Sequence, residues 1–123
     1  MNEVTAFQDL LVSEIKELMY ICDFLQYDDG ETIVRQNEVD EHIFGIIEGK
    51  VDIRLQSNDK EPIMIGQIQR GDIFGEASMF LNAQRTANVI AKGPVVIFRI
   101  SRNNLVRYID KLPKAGLKIF LQL

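Results

Sequence analysis

From Phe24 to Ile100 the apolar positions fall in short runs separated by turn residues, whereas on either side they recur at helical spacing. In SEIKELMYIC (13–22), Ile15, Leu18, Met19 and Cys22 follow the i, i+3, i+4, i+7 pattern of an amphipathic helix. Ser13 is the predicted N-cap, and Glu14 suits the positive end of the helix dipole. The preceding AFQDLLV predicts a shorter helix or turn. FLQY (24–27) then stops at Asp28-Asp29-Gly30, and TIVR (32–35) runs into Gln36-Asn37-Glu38, where Asn37 can adopt the left-handed conformation of a tight turn. HIFGIIEG (42–49) and VDIRLQS (51–57) predict two strands joined near Gly49-Lys50. In the second, Val51, Ile53 and Leu55 alternate with Asp52, Arg54 and Gln56, the period of a half-buried strand. After the polar loop SNDKEP come IMIGQI (63–68), TANVIA (86–91) and VVIFRI (95–100), with Gly93-Pro94 as the last turn.

Seven or eight short strands at this spacing, with helices only at the ends, predict an antiparallel jelly-roll-like barrel. Ser101 caps a helix to about Asp110, with Leu105, Val106 and Ile109 as its apolar positions. Pro113 starts a second, PKAGLKIFLQL, with Leu117, Phe120 and Leu121 on one face. Within it, Gly116 costs roughly 1 kcal/mol relative to alanine. The expected fold class is mainly β with flanking helices: a double-stranded β-helix barrel, an N-terminal helix and two short C-terminal helices. One domain spans 1–123, divided into a helical segment (1–23), a β-roll (24–100) and C-terminal helices (101–123).

Composition narrows the function more than the fold. Hydrophobic residues make up 46% and charged residues 26%, as in an ordinary soluble globular chain. The single cysteine, Cys22, excludes an internal disulfide and a cysteine-rich metal site, and its apolar stripe marks it as a core residue. No stretch reads as a signal peptide or a membrane span, so the expected location is cytoplasmic, with no membrane partner. The net charge of −4 conceals an asymmetry: residues 1–76 hold 17 acidic and 6 basic groups, residues 77–123 hold 1 and 8. An acidic chain lacks the positive footprint of direct nucleic-acid binding. The basic C-terminal third suits an anionic ligand or an acidic partner surface, although a solvated face is the plainer reading of its lysines.

The candidate chemistry lies in GDIFGEASMFLNAQRTANVIA (71–91). Gly75 precedes Glu76, the small residues Ala77 and Ser78 let a ligand approach the main chain, and Arg85 and Thr86 follow nine and ten positions after Glu76. A carboxylate and a guanidinium held apart by a compact turn suit a ligand with a hydroxyl to donate and an anion to bind. The plain alternative is that Glu76 and Arg85 pair with each other and stiffen the turn. Gly30 and Gly71 read as turn glycines, and Phe74, Phe80 and Leu81 as core and pocket wall. His42, the lone histidine, reads as a surface residue, too few for a cupin-type metal site. No Walker loop, GxSxG or HExxH is present, so binding rather than turnover is expected.

These residues, together with Gly30, Phe44-x-Ile46-x-x-Gly49, Gly71-Asp72-x-Phe74-Gly75-Glu76 and Arg85-Thr86-Ala87, resemble the cyclic nucleotide-binding domain family over about Phe7 to Leu123. That family includes catabolite-activator-type regulators and the regulatory domains of cyclic-nucleotide-dependent kinases and channels. The resemblance implies a ligand, cAMP or alternatively cGMP, and no cofactor. Glu76 would accept from the ribose 2′-hydroxyl, Gly75 would leave room for the sugar, and Arg85 would pair with the phosphate through its planar fork. The N–H groups of Ala77 and Ser78 and the hydroxyl of Thr86 would add donors. Asn37 stands where the family usually has glycine. The family's longer final helix caps the base and often forms the dimer interface, whereas PKAGLKIFLQL is shorter. Signalling through the C-terminal helices to a homodimer or an effector protein is the implied output. The alternative is a degenerate, non-binding β-roll that acts as a protein interaction module.

Overall fold

The computed structural model describes residues 3–123. A 3₁₀ turn at Thr5–Phe7 leads to helix α1 (Val12–Tyr20). Strands follow at Asp23–Tyr27 (β1), Thr32–Val34 (β2), His42–Leu55 (β3), Ile63–Gln69 (β4) and Ile73–Phe74 (β5). The short helix α2 (Glu76–Leu81) separates β5 from β6 (Asn88–Ser101), and α3 (Arg102–Lys111) and α4 (Pro113–Gln122) complete the chain.

The strand count departs from expectation because two predicted turns are bends. β3 and β6 each run for 14 residues, passing through Gly49 and Gly93 without breaking. The two pair antiparallel from His42–Ser101 to Arg54–Asn88, with irregular register around Glu48. At Gly49 the backbone has φ 86°, and a Cβ would run into the Pro94 carbonyl and lie 3.1 Å from Val95 Cα. Glycine is therefore needed both for the bend and for the close crossing of the two strands.

This bend makes the roll. The first half of β3 and the second half of β6 carry β5 and β1 on their outer edges. The other halves carry β4 and β2. Side chains on the inner faces of both halves meet in one cluster that includes Phe44, Ile46, Val51, Val89, Val95 and Ile97. The outer face of the first half, with Ile43, Phe98 and Ile100, packs instead against α1, α3, α4 and the N-terminal turn. Ile97 and Phe98 are neighbours, fully buried, and in different cores, as a period of two requires. Each such buried side chain stabilises the fold by about 1.5–3 kcal/mol.

The helices follow the predicted segments but not always the predicted faces. α1 starts one residue before Ser13, with Leu11 at the cap position; the Leu11 N–H donates to the Glu14 carboxylate at 2.7 Å. Leu18 is fully buried while Met19 is exposed. Ser101 caps α3 as predicted, its hydroxyl accepting from the Asn104 N–H at 3.2 Å. The buried positions of α3 are Leu105 and Tyr108, not Val106. In α4 the inward face is Ala115, Gly116 and Ile119, and Leu117, Phe120 and Leu121 are exposed. Gly116 lies against Ile109 of α3, close enough that a Cβ would sit 2.9 Å from Ile109 Cγ1. The glycine that weakens α4 locally is what lets it pack on α3. Asp52, assigned by alternation to the solvent side, is buried and accepts from Gln67 at 2.8 Å and Arg54 at 3.2 Å.

Candidate ligand-binding site

β5 ends at Phe74, and the chain turns into α2 through Gly75 at φ 87°. α2 closes at Asn82, also left-handed at φ 52°, with the Ala83 N–H donating to the Ser78 carbonyl at 3.0 Å. The returning segment is pinned to the turn between β2 and β3. There the Arg85 N–H donates to the Glu38 carbonyl and the Asn37 N–H to the Arg85 carbonyl, both at 2.8 Å. Asn37 takes the left-handed conformation expected of it, φ 72°.

A cavity of about 180 Å³ opens between α2 and the roll. Gly75, Glu76, Ala77, Ser78, Arg85 and Thr86 all line it, so the structure gathers every predicted site residue at one place. Its remaining wall is apolar, with Val34, Ile53, Ile68, Phe74 and Val89. A second cavity of about 390 Å³ shares Ile68 and Glu76 and is bounded by Gly71, Asp72 and the end of α4 at Gln122 and Leu123. Phe80 and Leu81, expected in the core or pocket wall, are partly and largely exposed; the Phe80 ring lies 5.5 Å from that of Phe120 on α4.

Arg85 is the unusual group. Its side chain is only 4% exposed and lies over the Phe44 ring, 5.6 Å from the centroid, while Phe44 in turn stacks on Phe74 at 5.0 Å. Nη1 donates to the Gly75 carbonyl at 2.9 Å; Nη2 donates to the carbonyls of Asp40, at 3.1 Å, and His42. The Asp40 carboxylate is 3.7 Å from Nη2, an ion pair without a tight hydrogen bond. Both ends of the fork expected to grip a phosphate are thus engaged by the protein itself. The Nε–H is buried and has no partner among the described residues. Leaving such a donor unpaired costs about 1–3 kcal/mol. Burial pulls the guanidinium below its usual pKa range, against the opposing charges of Asp40 and Glu76.

Two expectations are revised by this geometry. The room left by Gly75 is occupied by the Arg85 guanidinium, since a Cβ there would sit 3.1 Å from Arg85 Cζ and closer still to Nη1. Glu76 and Arg85 do not form an ion pair: the carboxylate that reaches the guanidinium is that of Asp40, and Glu76 lines both cavities. Asp40, His42 and Phe44, which hold Arg85, were missed in the sequence because they lie more than 40 positions away and contribute mainly carbonyl groups and a ring face. Cys22 packs against the helical core, and burial pushes its thiol up to about 12, an inert residue. No group of three or more metal-ligating side chains is present among the described residues. Nor is any helix there long and apolar enough to cross a membrane.

A model of the cyclic nucleotide-binding domain matches residues 24–111, spanning the roll, the α2 turn and α3. The chain belongs to the cyclic nucleotide-binding domain family. It is similar to the cGMP-dependent protein kinase egl-4 of Caenorhabditis elegans, with 32% identity over 114 residues, which are 91% of this chain and 15% of the kinase. The chain therefore spans only a small part of the curated relatives it matches. The fold is that of a cyclic nucleotide-binding domain from Methylobacillus flagellatus, with a TM-score of 0.86 and 20% identity over 98% of this chain and 72% of the other. The regulatory domain of Toxoplasma gondii PKA, solved with cAMP, superposes with a TM-score of 0.77 at 25% identity, covering 95% of this chain and 47% of that one.

Proposed function

We propose that this cyclic nucleotide-binding domain is a sensor that binds a cyclic purine nucleotide, cAMP or cGMP, between α2 and the roll. The observation that carries the reading is Arg85: a buried cation whose Nε–H has no partner among the described residues and which lines a cavity. An anion at that point supplies the missing acceptor. Nη2 has both of its N–H groups engaged and Nη1 one of its two, so the phosphate would meet Arg85 from the Nε side rather than across the terminal fork. The N–H groups of Ala77 and Ser78, in the first turn of α2, add donors to the same anion. Glu76 would repel a bare phosphate, so its place in the cavity lining suits a ligand that also carries a ribose hydroxyl. The adjoining cavity, which reaches the end of α4, has room for a base.

One contact in the structure supports an output through α4. Phe80 on α2 packs against Phe120 on α4, so drawing α2 toward a bound phosphate shifts the surface on which α4 rests. An effector or a second copy meeting α4 would sense that shift. Thr86 places a hydroxyl at the cavity beside Arg85, and the similarity to a cGMP-dependent kinase makes cGMP as strong a candidate as cAMP. Isothermal titration with both nucleotides tests the reading. Saturable heat with one or both supports it, and no heat from either at near-millimolar concentration rejects it.

A further inference from the structure

The lone histidine is not the surface residue that its position suggests. Its side chain is 28% exposed, and Nδ1 lies 2.7 Å from Asp40 Oδ1. Two acceptors do not approach so closely, so Nδ1 carries the hydrogen. The His42 main-chain N–H donates to the same oxygen at 3.0 Å. Asp40 Oδ1, the oxygen 3.7 Å from Arg85 Nη2, is thus bonded twice to His42 and stands just outside hydrogen-bond range of the guanidinium. A carboxylate so close to a buried cation would otherwise close the remaining gap and take over an Nη2 N–H now donated to one of the two carbonyls, forming a tight ion pair.

We infer that His42 is a positioning residue for Arg85: by holding the Asp40 carboxylate back, it keeps the guanidinium's charge available to an anionic ligand. This rests on the reading of the cavity as a cyclic nucleotide site. Asp40 is then a built-in competitor of the ligand phosphate. It stabilises the buried cation in the empty site, yet is restrained from neutralising it. Without the His42 imidazole, Asp40 turns onto Arg85 and the phosphate must displace it.

The test is a rescue. In the full chain, His42→Ala should weaken cAMP and cGMP binding by about fivefold, the order expected for one competing charged hydrogen bond. Adding Asp40→Asn removes the competing anion and should bring affinity back to within about twofold of the parent, on the same grounds. A histidine that merely supported the fold would leave the double variant as weak as the single one. That result, or a His42→Ala protein that binds like the parent, overturns the inference. A ligand-free measurement decides the point independently. The Arg85 side-chain ¹⁵N–¹H resonances should shift in His42→Ala and return in the double variant; if they do not move in His42→Ala, the inference fails. A parent chain that gives no heat with nucleotide would sink the ligand assignment, while these resonances would still decide what His42 does.

Discussion

Two buried charges, Glu14 among the helices and Arg85 beside the roll, are satisfied in different ways. The Glu14 carboxylate accepts from the Leu11 N–H at 2.7 Å and from Lys118 Nζ at 2.8 Å, while its backbone carbonyl accepts from the Tyr108 hydroxyl at 2.9 Å. It thereby joins α1 to α3 and α4. Beside the roll, Arg85 is surrounded by carbonyls, has its nearest carboxylate at 3.7 Å, and keeps its Nε–H without a partner among the described residues. Burial of a charge is costly in both places. Glu14 recovers that cost within the fold, which marks it as a structural clasp. Arg85 recovers it only in part, which is the basis for proposing it as the anion-binding group.

The sharpest way to break this contrast is at Gly75. Alanine there must adopt a left-handed conformation and push into the guanidinium, so Gly75→Ala should lose about 2–4 kcal/mol of stability in urea denaturation and abolish nucleotide binding. Arg85→Leu should weaken binding by about tenfold or more in isothermal titration. It should also destabilise the empty protein by about 1–3 kcal/mol, because the carbonyls of Gly75, Asp40 and His42 lose their donor. If Glu76 acts on the ligand as proposed, Glu76→Gln should match the loss of affinity, about tenfold, yet leave stability within about 0.5 kcal/mol.

At Glu14 the pattern should reverse. Glu14→Gln should cost about 1–2 kcal/mol of stability, less than a fully enclosed charge pair because Lys118 is partly exposed, and change nucleotide affinity by less than about twofold. The smallest effect is its pH dependence. Hydrogen bonds from Lys118 first, then from the Leu11 N–H, hold the Glu14 carboxyl below its ordinary 4.5. A depressed carboxyl contributes stability fully above its unfolded value and loses it as pH falls through the folded one. The stability gap between the parent and Glu14→Gln should therefore be constant near neutrality and narrow below pH 4.5.

How much of this was legible in the sequence follows from distance along the chain. Gly75, Glu76, Ala77, Ser78, Arg85 and Thr86 lie within twelve positions of one another, so their order alone brought the cavity's polar wall into view. The Asp40 and His42 carbonyls that hold Nη2 come from more than 40 residues upstream, and no spacing rule reaches them. Gly49 and Gly93 signalled turns because glycine favours a change of direction; in a roll the same freedom bends a continuous strand. α4 shows a related limit. Its larger apolar residues Leu117, Phe120 and Leu121 share one face, but close packing on Ile109 turns the smaller side inward, Ala115 and Gly116 with Ile119.

The central claim is that Arg85 holds one N–H in reserve for the ligand's phosphate. Titrating cGMP and cAMP into ¹⁵N-labelled protein while following the Arg85 Nε–H signal tests it most directly. The account predicts that this signal moves downfield and becomes protected from exchange as the nucleotide saturates. A nucleotide that saturates the protein while the Arg85 Nε–H stays where it was would contradict it.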